Sequence, residues 1–133
     1  MRSRDIAALR AICAELPGGE ILDRYSDEEA AAICNGVGAA WADRVAPRAS
    51  AILSRALPWA VAPSVIHDLR YHEGEGGSAG RAAADYQFWV GCLDVIDATS
   101  RWPWTRWWRK HRATDLYLIL RKFGGLAWEG RNG

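Results

Sequence analysis

The chain has 133 residues, half of them hydrophobic, and a net charge of +1. That suffices for one domain with one real core and is too short for several. No apolar stretch is long enough for a signal peptide or a membrane span. The cysteines Cys13, Cys34 and Cys92 are too few and scattered for a disulfide scaffold or a zinc site, and reduced, partly buried thiols are favoured over a Cys34–Cys92 bridge.

The charge is unevenly spread. Residues 1–66 carry seven basic and eight acidic side chains, residues 67–100 two and six, and residues 101–133 eight and two. An acidic middle suits cation binding; a basic end suits phosphate, a lipid headgroup or nucleic acid. Residues 1–133 read as a single domain, with an N-terminal helix and connection over 1–24 and a Trp/Arg-rich segment and C-terminal helix over 101–128.

In chain order, Ile6, Leu9, Ile12, Cys13 and Leu16 recur at helical spacing and predict an amphipathic helix over 3–16. Pro17-Gly18-Gly19 stops it. Ser26-Asp27-Glu28-Glu29 is a capping box, so a second helix starts near Asp27. It ends at Cys34-Asn35-Gly36-Val37-Gly38, where two glycines suit backbone turned toward a ligand. A third helical stretch runs from about Ala49 to Leu57. Pro63-Ser64 opens the helix over 64–74, Glu73 to Gly80 reads as a flexible acidic loop, and Arg81 to Ala98 as a strong helix. Thr114 to Phe123 is the last, closed by Gly124-Gly125. β-alternation amounts to a short hairpin at most. The expected fold is mainly α.

The chemistry concentrates in Ile66-His67-Asp68-Leu69-Arg70-Tyr71 and Ala84-Asp85-Tyr86-Gln87-Phe88. Helical neighbours diverge by about 100°, so His67 can face a substrate while Asp68 faces an adjacent loop, and Tyr71 shares the face of His67. Asp85, on an antiparallel helix, can accept the imidazole N–H and fix its tautomer, with Tyr71 holding Asp85 in place. A metal-dependent phosphohydrolase of the HD type needs a histidine upstream, and the only histidines are His67, His72 and His111. Zinc through His67, His72 and Glu75 fails on helical spacing. Gly76-Gly77-Ser78-Ala79-Gly80 matches a nucleophile elbow on paper but lacks the preceding strand.

From Arg101 to Arg112 four tryptophans alternate with five permanent cations. Within it Trp102, Trp104, Arg106, Trp107, Trp108 and Arg109 favour a membrane–water interface, base stacking or a protein hot spot over simple core packing.

At His67-Asp68-x-x-Tyr71 and Ala84-Asp85-x-x-Phe88 the chain resembles the phospholipase A2 superfamily, above all the short form carried by parvovirus capsid proteins. There a glycine loop of pattern aromatic-x-Gly-x-Gly lies upstream; here Cys34-Asn35-Gly36-Val37-Gly38 stands in its place, with Cys34 for the aromatic and a longer segment before His67. The resemblance implies a phospholipase A2-like pair of antiparallel helices carrying the site. It implies that His67 activates water, that Asp85 and Tyr71 orient it, and that Asp68 binds calcium with the carbonyls of Cys34, Gly36 and Gly38. The chain is also similar to uncharacterised phage-borne proteins that combine HDxLY-like, ADxxF and FGGxAW motifs, the last matched by Phe123-Gly124-Gly125-Leu126-Ala127-Trp128.

The expectation is a calcium-dependent acyl-ester hydrolase acting on phospholipid at a membrane surface. It would be phage-encoded and reside in the host cytoplasm or the virion. The alternative is a non-catalytic phage structural or host-interaction protein that keeps the His-Asp network for packing, with a phage or host protein as partner. Nucleic-acid binding by the tryptophans ranks third.

Overall fold

The computed structural model describes residues 1–34, 56–126 and 128. Five α-helices lie among them: α1 Ser3–Ala14, α2 Asp27–Ile33, α3 Val61–Glu73, α4 Gly77–Thr99 and α5 Pro103–Phe123. Short 3₁₀ turns cover Gly19–Arg24, Pro58–Ala60 and Gly124–Leu126. The fold is mainly helical and forms one small domain; among the described residues there is no strand and no hairpin. The helical stretch expected from Ala49 lies, up to residue 55, outside the described residues, as do Gly36 and Gly38.

α1 ends at Ala14, two residues earlier than expected; beyond it Gly18 turns left-handed at φ 78°, and a side chain on Gly19 would overlap the Cys13 carbonyl. Arg10 then fastens the following turn to α1. Its Nε donates to Asp27 Oδ1 at 2.6 Å, and its Nη1 and Nη2 donate to the carbonyls of Leu22 at 3.0 Å and Tyr25 at 2.7 Å. α2 begins as its capping box dictates, with the Glu29 N–H on Ser26 Oγ at 3.1 Å and the Ser26 N–H on Glu29 Oε1 at 3.0 Å.

α3 is buried on two sides. Val65, Ile66 and Leu69 join Ile6, Cys13, Ile21, Leu22, Ala30 and Cys34 in one apolar core. The other face, with Pro63, His67, Arg70 and Tyr71, meets α4. A methyl on Gly91 would sit 3.3 Å from Pro63 Cβ; Arg70 Nη1 donates to Gln87 Oε1 at 3.0 Å; Tyr71 donates to Asp85. Partner numbers on α4 thus fall as those on α3 rise. A second core joins Trp59 and Ala60 to Phe88, Cys92 and Ile96 of α4 and Ala113 of α5. All three thiols are unpaired and buried.

Four local expectations are corrected. α3 starts two residues before Pro63, because a proline in the first helical turn has no N–H to waste; the Ser64 hydroxyl returns to the Val61 carbonyl at 2.6 Å rather than capping the helix. The glycine-rich loop is short: Gly74 and Gly76, at φ 64° and 88°, make the left-handed turn, and Gly77 to Gly80 already belong to α4. α5 begins at Pro103, not Thr114, so the Trp/Arg segment is helical. Gly124 does not cap α5 in the left-handed manner; its φ is −62° and the chain continues into the last 3₁₀ turn.

Leu69 has no exposed surface and joins α3 to the N-terminal helices. Leu69→Ala is expected to cost about 2–5 kcal/mol in chemical denaturation; a cost below about 1 kcal/mol would show that α3 does not depend on this core.

Candidate functional site

His67 and Tyr71 stand one helical turn apart on α3, with ring centroids 4.1 Å from each other. Both reach the same atom on α4: His67 Nε2 lies 2.8 Å from Asp85 Oδ1, and the Tyr71 hydroxyl donates to that oxygen too. The expected His67–Asp85–Tyr71 arrangement is therefore assembled. Asp85 has no exposed surface, and His67 is 6% exposed. Phe88 packs on the imidazole at 5.2 Å between centroids, which accounts for the aromatic three residues after Asp85.

The second oxygen of Asp85 faces α5. Arg121 Nη1 donates to Oδ2 at 2.7 Å, and Arg81 Nε lies 3.9 Å from the same oxygen. Arg81 also donates from Nη2 to the carbonyls of Leu120 at 3.0 Å and Arg121 at 2.7 Å, in the last turn of α5, where carbonyls run out of helical partners. Its Nε is 3.4 Å from the Tyr71 hydroxyl. Burial pushes the Asp85 carboxyl up, but the hydrogen bonds from His67, Tyr71 and Arg121 outweigh it and hold the group below its ordinary value of 3.8. Burial and the bond to Asp85 push the Tyr71 phenol up, so it remains a donor. An ionised carboxylate only accepts; His67 Nε2 therefore carries the proton toward Asp85, which in the neutral ring leaves the lone pair on Nδ1.

Gly124, Gly125 and Trp128 close over this network. A side chain on Gly124 would overlap the Tyr71 hydroxyl, and one on Gly125 would approach Arg81 Nη1 at 3.4 Å. Trp128 is buried and meets Tyr71 edge-on with centroids 5.1 Å apart. The HDxxY, ADxxF and FGGxAW motifs are thus one physical cluster.

Asp68, one residue from His67, turns elsewhere and is half-buried. Burial first, and the Asp68 charge second, push the Cys34 thiol up, so Asp68 and Cys34 are neighbours. The Cys34 carbonyl already faces a cation, the Met1 ammonium at 3.5 Å. Carboxylate and carbonyl oxygens suit a hard cation in kind. Gly36 and Gly38, the other implied ligands, lie outside the described residues; among those described, no three His, Cys, Asp or Glu side chains gather as metal ligands.

Trp102, Trp104, Trp107 and Trp108 are 54%, 63%, 60% and 51% exposed. Trp104, Trp107 and Trp108 share the outer face of α5 with Leu118 and Ile119, which are also exposed and which the sequence reading left unassigned. Trp102 stacks on Trp104 at 5.3 Å and Trp107 on His111 at 5.4 Å, and the Arg112 guanidinium lies 5.2 Å from the Trp108 ring. Arg106 and Arg109 turn back toward the protein. Arg106 lies 3.6 Å from Asp97 and donates to the Ser100 carbonyl at 3.3 Å; Arg109 donates to Ser100 Oγ at 3.1 Å. Among the described residues no helix is long and apolar enough to cross a membrane.

Compared with protein-family models, with curated proteins and with solved structures, the chain matches none of them. Reasoning from the sequence missed Arg81 and Arg121, and it noted Trp128 only as the end of the FGGxAW motif. Arg81 precedes Asp85 by four residues, a helical pairing distance that could have revealed it. Arg121 carries no local signal.

Asp85 links its depressed carboxyl to stability. The contribution of its bonds is fully present above its ordinary value of 3.8 and is lost as pH falls through the lower folded value. Asp85→Asn is expected to cost about 3 kcal/mol near neutrality, with the gap to the unaltered protein steady down to about pH 4 and narrowing below it. Denaturant titrations across that range check this; a constant gap would contradict it.

Proposed function

We propose that this chain is a calcium-dependent, phospholipase A2-like acyl-ester hydrolase of phage origin, with the antiparallel pair α3 and α4 as its catalytic scaffold. The observation that carries the reading is the 2.8 Å contact between His67 Nε2 and Asp85 Oδ1, with Tyr71 on the same oxygen. An imidazole fixed through Nε2 presents Nδ1 as a general base. In the proposed reaction His67 takes a proton from water through Nδ1 while the water oxygen attacks the ester carbonyl. The proton then passes to the departing alcohol oxygen, leaving a fatty acid and a lysophospholipid. Asp85 keeps the ring in the productive tautomer and stabilises its charge while the proton is held; Tyr71 holds Asp85.

Asp68 and the carbonyl of Cys34 would hold calcium, together with the carbonyls of Gly36 and Gly38. The ion, when bound, supplies Lewis-acid stabilisation of the oxyanion. The outer face of α5, with Trp104, Trp107, Trp108, Leu118 and Ile119 exposed, is the proposed contact with the phospholipid surface, where indole rings settle at headgroup depth.

A second reading is favoured by the burial of His67 and Asp85, at 6% and 0% exposure: a non-catalytic phage structural or host-interaction protein whose polar cluster fixes helix packing. Fatty-acid release from phosphatidylcholine vesicles separates the two. The enzyme reading expects release that needs millimolar calcium and falls by about a hundredfold or more in His67→Ala and Asp68→Asn. No calcium-dependent release from the unaltered protein, with His67→Ala costing only stability, would replace it with the second reading.

A further inference from the structure

Trp104, Trp108, His111, Asp115, Leu118 and Lys122 follow one another along α5 at alternating intervals of four and three residues. That spacing keeps side chains on one stripe, the stripe a helix turns toward a second helix. All but Asp115 are exposed, and the Asp115 side chain is 45% exposed. Neighbouring rings already brace one another: Trp107 stacks on His111, and Trp108 meets His111 edge-on with centroids 6.2 Å apart. The indoles of Trp102, Trp104, Trp107 and Trp108, 51% to 63% exposed, leave on the order of 500 Å² uncovered. With Leu118 and Ile119 the apolar surface passes the roughly 300–600 Å² of the largest patch on an ordinary monomer. It approaches the roughly 800 Å² that each partner buries in a standard interface.

We propose that in solution this face is covered by α5 of a second copy of the chain, the two helices running antiparallel about a two-fold axis at the level of Ala113. Read in reverse, the stripe complements itself. Trp108 meets Leu118 of the second copy, His111 meets Asp115 of the second copy, and Trp104 meets Lys122 of the second copy, each contact occurring twice by symmetry. The Lys122 ammonium already lies over one aromatic ring, that of Phe123 at 5.5 Å, and an indole face attracts a cation more strongly still. Asp115 is paired with Arg112 of its own helix at 3.4 Å, an exposed pair that costs little to open. Parallel pairing would instead set Asp115 against Asp115 and Lys122 against Lys122, which like charges oppose. Other cations of the segment face α4 and do not crowd the stripe: Arg106 and Lys110 pair with Asp97, and Arg109 donates to Ser100. The pairing does not rest on the hydrolase reading. It covers the face which that reading gives to phospholipid, so lipid and a second copy compete for it.

The test is sedimentation equilibrium of the full chain, without lipid, at about 10–100 µM. The unaltered chain is expected to show the mass of two copies, and Trp108→Glu the mass of one. His111→Glu and Asp115→Arg, both at surface positions that leave the core intact, each set like charges together across the axis. Each is expected to raise the dissociation constant by about tenfold or more. The double variant, His111→Glu with Asp115→Arg in one chain, restores opposite charges only if the helices are antiparallel, and is expected to return to within about threefold of the unaltered chain. A single-chain mass for the unaltered protein throughout overturns the proposal; if that monomer binds phosphatidylcholine vesicles and Trp108→Glu does not, lipid alone is the occupant. A dimer undiminished by Trp108→Glu, or a double variant no tighter than the single ones, overturns it equally.

Discussion

A carboxylate withdrawn from water keeps its charge only if donors replace the hydration it has lost, and bringing donors to one atom pair from separate helices fixes how those helices lie. Asp85 imposes that demand here. It is fully buried, and its oxygens draw in His67 and Tyr71 from α3 and Arg121 from α5. Three helices and the closing turn over Tyr71 meet around it. Mutual packing of apolar side chains alone would leave them freer to shift, because dispersion and burial have no strong direction, whereas hydrogen bonds to a charged group do.

The same economy recurs in the helices that supply the donors. α3 gives Val65, Ile66 and Leu69 to one core and His67 and Tyr71 to the site, so the site is braced from behind by the N-terminal helices. α5 buries Ala113 against α4 and sends Arg121 inward, while its outer face leaves the indoles in solvent. A rigid helix therefore carries both the exposed aromatic surface and the cation on Asp85. Arg106, Lys110 and Asp97 form a small ion-pair group at the α4–α5 contact, with Lys110 Nζ 2.8 Å from Asp97; being exposed, it contributes little to stability.

How much of this was legible depended on sequence distance. The capping box at Ser26 and Glu29 and the sharing of one face by His67 and Tyr71 are local rules, and both could be read directly. Asp85 as the partner of His67 was legible because the intervening turn is short and glycine-rich. The start of α5 was missed because alternating tryptophan and arginine hide an apolar stripe: here the large hydrophobic residues face out, and a small one, Ala113, faces in. Arg121 stands 36 residues from Asp85, and no periodicity links them. Gly124 was read as a helix stop when its use is to let the chain pass over the Tyr71 hydroxyl, a demand visible only once Tyr71 and the end of α5 are together.

The central claim is that an ionised Asp85 dictates the form of His67, with the proton on Nε2 and the lone pair on Nδ1. Imidazole ¹⁵N shifts of His67, recorded above its titration, test this most directly. The account predicts a pyrrole-like Nε2 and a pyridine-like Nδ1. A protonated Nδ1 with Nε2 unprotonated would mean that Asp85 holds the proton between them, and that His67 is not oriented as a base.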